Sequence, residues 1–413
     1  MIALRWALAF SVLASMAGAQ SPNTSETGAE VVQDMTKDIG SQAGFDAWLS
    51  GFRPRAEAAG VSAAVLDRAL TGLVFDEKIV ARDRNQNEFT KTIWDYLDTA
   101  VSEDRVARGR KAMATHAAVL DRIEREYGVD KALVAAIWGL ESAYGSFRGD
   151  IPTIGALATL AYDARRAAFF EAQLLAALKI LDQGDVSIAD MRGSWAGAMG
   201  HTQFMPTSWW EFAVDGNGDG KRDIWGDDPT DALASTANYL RHWGWVKGAI
   251  WGLEITLPDG FDYDQTTERV KKPVADWRAM GVRPVAGGDL PDHGLASVLL
   301  PGGAGGAAFL IFSNFQVIEH YNTADAYVIA VGHLADRLRD GPPIRASWPR
   351  HLRALTLEER MELQRRLTAR GFDAKGVDGR IGPNTIAAVK AWQKAQGRIA
   401  DGYASLDVLE ALR

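Results

Sequence analysis

One helix-length stretch of this chain is apolar on every face. Asp130 is a natural N-cap for the segment KALVAAIWGL, which has no polar residue after Lys131, and Gly145 stands where a left-handed C-terminal cap is expected. Such a helix is stable only in a protein interior, so a mainly helical fold should form around it. Its last turn carries one carboxylate, Glu141, which we expect at the edge of the core.

Glu141 is a candidate general acid. Burial away from cations favours the neutral carboxyl group, which can donate a proton to a leaving group. Isolated glutamates at helix ends are more commonly solvated, so the residues by themselves leave both interpretations open.

The first nineteen residues have the layout of a secretory signal. Arg5 precedes an apolar run, and Ala17-Gly18-Ala19 forms a small-x-small cleavage site. Residues 20–42 are polar and predict a disordered segment. The chain has no cysteine, hence no disulfide and no cysteine for lipid attachment. We therefore expect an exported periplasmic protein with no membrane anchor after signal cleavage.

The charge balance bears on the class of partner. The chain carries 45 basic and 53 acidic residues, a formal net charge of −8. Nucleic-acid binding requires a basic face, so a nucleic-acid partner is disfavoured.

The spacing of apolar residues and the distribution of proline and glycine divide the remaining chain into three parts. Residues 43–340 form one large body, helical at first, with short β-prone pieces at about 250–312. The Pro-rich stretch 341–352 predicts a linker, and residues 353–413 contain three short helical units that predict a separate binding module. The fold class predicted is mainly α (α+β), with a small β-containing insertion.

Four strings in order resemble one enzyme family. WGLESAYG, GSWAGAMGHTQFMPTSWW, GDGKRDIW followed by DPTDALASTANYL, and HYNTADAY look like the lytic murein transglycosylases of the B type. The terminal strings LQRRLTARGF and VDGRIGPNTIAAVKAWQ resemble a small peptidoglycan-binding domain.

The resemblance implies a lysozyme-like catalytic domain acting on peptidoglycan glycan strands. Glu141 would protonate the oxygen of the β-1,4 bond between N-acetylmuramic acid and N-acetylglucosamine and then serve as the base. The C6 hydroxyl of the muramic acid would attack C1 and leave a 1,6-anhydro end. No cofactor is required for this chemistry, and a single catalytic carboxylate fits a substrate-assisted reaction. The alternatives are a hydrolytic muramidase and a non-catalytic peptidoglycan-binding scaffold.

The same resemblance assigns substrate contacts residue by residue. The matching positions are Ser194, Gln203, Tyr321, Asn322, Tyr327, Tyr239 and Tyr96. For Ser194 and Gln203 the alternative is a tightly packed loop with satisfied polar groups. For Tyr239 and Tyr96, ordinary core packing is an equal alternative. His201 departs from the residue expected beside Gln203.

The segment DGNGDGKRD predicts a structural calcium site. Asp215, Asn217 and Asp219 occupy the first, third and fifth positions of a calcium loop, and Lys221 contributes its carbonyl at the seventh. Position twelve is a glycine, and the resemblance assigns the closing carboxylate to Asp231. An Asn/Asp-Gly turn without metal is the alternative.

In the C-terminal module, the loop after the first helix is the candidate ligand-facing surface. It runs through Asp378, Gly379, Arg380, Gly382 and Thr385. A helix-capping turn is the alternative, with equal weight.

Overall fold

The computed structural model describes residues 40–84 and 91–413. The predicted signal segment 1–19 and nearly all of the predicted disordered segment 20–42 lie outside the described residues. Within the part of the chain that is described, no helix is both long enough and apolar enough to cross a bilayer.

Helices dominate the described residues. In chain order they are α1 Gln42–Ala58, α2 Ala63–Leu70, α3 Glu77–Arg84, α4 Ile93–Ala100, α5 Glu103–Thr115, α6 Ala117–Tyr127, α7 Lys131–Ser142, α8 Thr153–Tyr162, α9 Ala167–Gln183, α10 Pro206–Phe212, α11 Thr230–His242, α12 Val274–Ala279, α13 Ser313–Glu319, α14 Asp325–Leu338, α15 Leu357–Ala369, α16 Pro383–Ala395 and α17 Leu406–Leu412.

The strands form two antiparallel sheets. They are β1 Ile151–Pro152, β2 Arg192–Gly193, β3 Gly252–Thr256, β4 Lys272–Pro273, β5 Arg283–Pro284, β6 Leu295–Leu299 and β7 Ala308–Ile311. Strands β1 and β2 pair with each other, and the other five have the order β4-β6-β7-β3-β5. The predicted mainly helical fold with a small β-containing part is confirmed.

The chain folds into two compact units. The first unit contains the described residues up to 84 together with 111–242, and the second contains 91–110 and 243–413. In the first unit, α8 packs along α9, and α11 packs against α6, α7 and α10. Helix α7 is its most deeply buried element, since every residue from Ala132 to Ser142 is buried. The all-round apolar pattern of this helix therefore produces the central position expected of it.

The second unit combines the five-stranded sheet, helices α4 and α12–α14, the first eight residues of α5, and the C-terminal module. The sheet covers a core around Trp277, whose indole is fully buried and donates a hydrogen bond to the carbonyl of Ala296 at 2.9 Å. The module has its own core of Leu363, Leu367 and Trp392. Helix α15 begins with a capping box, in which Thr356 and Glu359 have the required three-residue spacing.

The module is docked on the β-containing part of the second unit. The Lys390 ammonium is buried there and donates to the Tyr263 carbonyl at 2.6 Å and the Thr266 hydroxyl at 3.1 Å. Asp401 accepts from the backbone N–H of Ala304 at 2.9 Å. A buried lysine without such acceptors would be strongly unfavourable, so these contacts indicate a specific interface.

Candidate active site

Helix α7 ends in a run of left-handed backbone. Its N-cap is Asp130 as predicted, with the carboxylate accepting from the N–H groups of Ala132 and Leu133. The C-terminal prediction is wrong in position: the left-handed C-cap is Ala143 at φ 50°, followed by Tyr144 at φ 60° and only then Gly145 at φ 81°. Left-handed backbone costs a residue with a Cβ about 1–2 kcal/mol. The strain therefore lies directly after the candidate catalytic turn.

Packing explains why the chain turns so early. The ring of Tyr144 lies against Gly139, where an added Cβ would stand 2.6 Å from the tyrosine ring and hydroxyl. The same ring meets Trp138 edge-on, with centroids 5.7 Å apart. Gly139 is therefore required inside the helix because the tyrosine folds back over it, in spite of the usual penalty for glycine in a helix.

Glu141 is almost completely buried, with 3% of its surface exposed. The adjacent Ser142 joins its helix to the glycine-rich loop, since the Ser142 hydroxyl donates to the His201 carbonyl at 2.5 Å and accepts from the Gly145 N–H at 2.9 Å. The glutamate therefore sits on a turn that is fixed to the segment containing Ser194 and Gln203.

His201 is the centre of a second connection to the same turn. The Trp138 indole N–H donates to His201 Nδ1 at 3.1 Å, and His201 Nε2 lies 2.8 Å from the carbonyl oxygen of Gly226. The Arg148 guanidinium contacts the same carbonyl and forms an ion pair with Asp227. Burial is the main reason that the pKa of His201 is lowered to about 4, and the nearby guanidinium adds to the effect.

Gln203 has strained backbone and fully used donors. Its φ is 54°, it is 2% exposed, and its amide nitrogen donates to the carbonyls of Arg148 at 2.9 Å and Gly200 at 2.8 Å. Because both N–H groups serve the protein, the amide oxygen is the atom of this side chain suited to accept a hydrogen bond from a ligand.

Ser194 closes a turn of the glycine-rich loop. Its hydroxyl oxygen accepts from the N–H groups of Ala196 at 3.3 Å and Ala198 at 3.1 Å. The space beside the loop glycines is filled by protein: an added Cβ would stand 2.1 Å from the Ala198 carbonyl at Gly193 and 2.2 Å from the Ile224 carbonyl at Gly200. These glycines therefore allow the loop itself to pack tightly, and not the approach of a sugar to the backbone.

The remaining predicted contact residues are divided between the units. Tyr239 is in the first unit, where its ring packs edge-on against Phe212 with centroids 4.8 Å apart, so it has a clear packing role. The second unit holds Tyr96, Tyr321, Asn322 and Tyr327. Asn322 is buried and caps the turn before α14 by accepting from the Ala324 N–H at 3.0 Å.

The predicted calcium loop brings three carboxylates together. One oxygen from each of Asp215, Asp219 and Asp231 lies within 4.8 Å of the others. The loop is held by its own turns, in which Asp215 accepts from the Gly218 N–H at 2.6 Å. Buried Asp231 accepts from three N–H groups, including that of Asp223 at 2.8 Å. Burial raises the pKa of Asp231 to about 6. Converging oxygens of this kind fit a hard divalent cation such as Ca²⁺.

A second carboxylate cluster was not predicted. Glu268, Glu319 and Asp325 each offer an oxygen within 4.8 Å of the others. Burial, strengthened by mutual repulsion, raises the pKa of Glu319 to about 8 and that of Asp325 to about 7. The two flank the HYNTA string, but Glu268 is far away in sequence, so no local spacing could have indicated the cluster. Glu268 forms side-chain hydrogen bonds with both Glu319 and Asp325, and Asp325 is the first residue of α14.

The candidate loop of the module is held by one side chain of α15. The Gln364 side chain on α15 donates to Asp378 and to the Arg380 carbonyl, both at 3.0 Å, and accepts from the Gly379 N–H at 2.8 Å. Thr385 is 2% exposed and bonds to the same glutamine. The loop is therefore wrapped around a buried amide, and the Arg380 side chain remains exposed.

Two parts of the chain match known protein families. Residues 44–336 match the family described as Transglycosylase SLT domain, and residues 356–412 match a peptidoglycan binding domain family. The chain belongs to the SLT transglycosylase family, so the resemblance drawn from its motifs is confirmed.

Individual relatives have the same fold. Over 246 residues the chain is 34% identical to Membrane-bound lytic murein transglycosylase B of Escherichia coli K12, a match that covers 58% of this chain and 65% of that protein. The crystal structure of SltB3 from Pseudomonas aeruginosa in complex with NAG-anhNAM-pentapeptide is 49% identical, with a TM-score of 0.87, covering 89% of this chain and 99% of that chain. Escherichia coli Slt35 in complex with calcium is 29% identical, with a TM-score of 0.61, covering 70% of this chain and 92% of that chain.

Proposed function

We propose that this protein is a peptidoglycan lytic transglycosylase. It cleaves the β-1,4 bond between N-acetylmuramic acid and N-acetylglucosamine and forms 1,6-anhydromuramic acid ends. The observation that carries the proposal is the buried Glu141 at the strained end of α7, in a chain of this family. The relative SltB3, which was crystallised with NAG-anhNAM-pentapeptide, supports the same product class.

Glu141 acts twice in the proposed reaction. As an acid it protonates the glycosidic oxygen, so the N-acetylglucosamine leaves as an alcohol. As a base it then takes the proton of the muramic acid C6 hydroxyl while O6 forms a bond to C1. Protons balance, and no water is consumed. With its N–H groups bonded to the protein, the Gln203 amide would accept through its oxygen from the N–H of an N-acetyl group and so orient that group as stabiliser of the cation.

The test is digestion of purified sacculi followed by mass spectrometry of the new ends. Wild type should release 1,6-anhydro ends, and Glu141→Gln should lose nearly all turnover while keeping the wild-type melting temperature, because the amide keeps the shape and cannot supply the proton. Glu126→Gln on the exposed side of α6 is the matched control and should stay active. Free reducing ends would identify a hydrolytic muramidase, and a wild type without activity would identify a binding scaffold.

We further propose that the loop 215–231 binds calcium for structure. Its hard oxygen donors are Asp215, Asn217, Asp219 and Asp231 with the Lys221 carbonyl, and Slt35 was crystallised with calcium. The ion would hold the segment that leads to Gly226, which contacts His201. Melting temperature measured against calcium concentration tests this.

The chain is proposed to act in the periplasm with its C-terminal module holding it on peptidoglycan. The signal-like residues 1–19 and the match of residues 356–412 support this. N-terminal sequencing of the exported protein should begin at Gln20. Sacculus binding should weaken in Arg380→Ala, whose side chain is exposed on the candidate loop, and not in Arg370→Ala, which is exposed at the end of α15.

A further inference from the structure

Two exposed aromatic side chains of the second unit are stacked face to face. The rings of Trp243 and His320 lie parallel, with centroids 3.8 Å apart and an angle of 10° between planes. Trp243 nevertheless leaves 39% of its surface exposed, and His320 is also exposed. Among the thirteen tryptophans of the described residues, only Trp210 and Trp243 are exposed, so an ordered pair at the surface needs a reason.

The pair is held by a fixed loop. The fully buried Asn314 accepts from the Val246 N–H at 2.8 Å and donates to the carbonyls of Val246 at 3.0 Å and Ala249 at 2.8 Å. Asn314 lies on α13, and His320 is the C-cap of the same helix. The segment that follows Trp243 and the cap that carries His320 are therefore anchored on the same short helix, so the two rings are held in place before a ligand binds.

The polar surroundings suit a sugar. His320 is followed directly by Tyr321 and Asn322, the residues that the family resemblance assigns to substrate contact. The C–H face of a pyranose ring carries weak positive charge, which is complementary to the negative face of an aromatic ring, while its hydroxyl groups need polar neighbours.

The patch is too small for a stable interface with a folded protein. A stable protein interface buries about 800 Å² on each side, whereas a single stacked pair of side chains offers a small fraction of that area. One planar ring, and not an extended surface, is the ligand that matches it.

We propose that Trp243 and His320 form an aromatic platform that binds one pyranose ring of the glycan strand, as a subsite additional to those of the reacting sugars. This inference rests on the proposed function, since it assumes a peptidoglycan glycan as the ligand. The platform should add affinity for longer strands and contribute little to the binding of the shortest ones.

Calorimetric titration with peptide-free GlcNAc–MurNAc oligosaccharides of increasing length tests the platform in a full-length Glu141→Gln background, which prevents turnover. Trp243→Ala should lower the affinity for long oligosaccharides about tenfold and leave the affinity for the disaccharide unchanged. Trp243→Phe should keep most of the affinity because it keeps a ring. Trp210→Ala is the matched control, since Trp210 is 42% exposed on α10 and belongs to no such stack.

The outcomes separate the platform from the proposed function. Equal affinities of Trp243→Ala and its parent at every length would overturn the platform while leaving the enzyme proposal intact. An equal loss in Trp210→Ala would also overturn it, because the effect would not be specific to the stack. A parent protein that binds no oligosaccharide of any length would sink both proposals. Melting temperatures of all variants confirm that each is folded.

Discussion

His201→Gln should make the protein less sensitive to acid. An indole N–H only donates, so His201 Nδ1 must accept from Trp138, and the single proton of the neutral ring belongs on Nε2, facing the Gly226 carbonyl. Protonation of Nδ1 would destroy the contact with Trp138. The glutamine amide can keep both contacts, with its oxygen toward the indole and its N–H toward the carbonyl, and it does not titrate.

The magnitude follows from the pKa of this histidine. In the unfolded chain the ring takes up a proton near pH 6.5, whereas in the folded protein burial delays this until about pH 4. The unfolded state therefore binds more protons, and the free energy of unfolding falls as the pH is lowered through this window. At 1.36 kcal/mol for each pH unit, the interval from 6.5 to about 4 corresponds to about 3 kcal/mol. Above pH 6.5 the contribution is constant.

Urea unfolding of wild type and His201→Gln at pH 7, 6, 5 and 4 measures this. The carboxylates that titrate in the same range are common to both proteins, so the difference between the two curves isolates the imidazole. We expect the wild type to lose about 3 kcal/mol more than the variant between pH 7 and pH 4. His351→Gln, which removes an imidazole whose side chain is 72% exposed, is the control and should follow the wild type. Parallel curves for wild type and His201→Gln would refute the reasoning.

Three further changes test other contacts. Gly139→Ala should destabilise the protein by about 1–3 kcal/mol because the new methyl group meets the Tyr144 ring. Gly51→Ala in α1 is the control and should stabilise the protein by about 0.5–1 kcal/mol, because its added carbon makes only an ordinary contact. Equal denaturation midpoints for the two variants would contradict this. Calcium should raise the melting temperature of wild type and not that of Asp219→Ala. The increase should be smaller below pH 6, because the buried carboxyl group of Asp231 becomes protonated there. If neither calcium nor a chelator changes the melting temperature, the loop is a turn without a metal. Lys390→Met should lower the free energy of unfolding, measured in urea, by about 1–3 kcal/mol, because Tyr263 and Thr266 lose the donor that the module supplies. No measurable change would mean that this contact does not stabilise the protein.

The parts of the fold that were predictable depend on local signals. The start of α7 at Asp130, its complete burial and the three helices of the module follow from capping residues and apolar spacing. The end of α7 did not follow, because it is decided by the Tyr144 ring packing back on Gly139, a contact that no propensity encodes. The sequence predicts left-handed backbone at Gly145, the nearest glycine. In the structure the left-handed backbone begins two residues earlier, at Ala143 and Tyr144.

The candidate site was predictable where a motif is contiguous. Asp215 and Asp219 do approach Asp231, and Gln203 does lie on a loop fixed to the helix of Glu141. The role of Arg148 was not predictable, because its contacts with the loop come from residues more than fifty positions away. The packing of the glycine-rich loop was not predictable for the same reason, since sequence reasoning could not indicate which backbone would fill the space beside Gly193 and Gly200.

The docking of the C-terminal module bears on the proposed attachment of this protein to peptidoglycan. A free linker of the length of residues 341–352 would reach up to about 40 Å and let the module sample many strands. In the structure the ring of Trp348 packs on Trp94 with centroids 6.1 Å apart, and the ammonium of Lys390 is buried against the β-containing part. If the module binds peptidoglycan as proposed, its reach is set by a fixed body, and the point at which it binds would also determine which neighbouring strand the β-containing part faces.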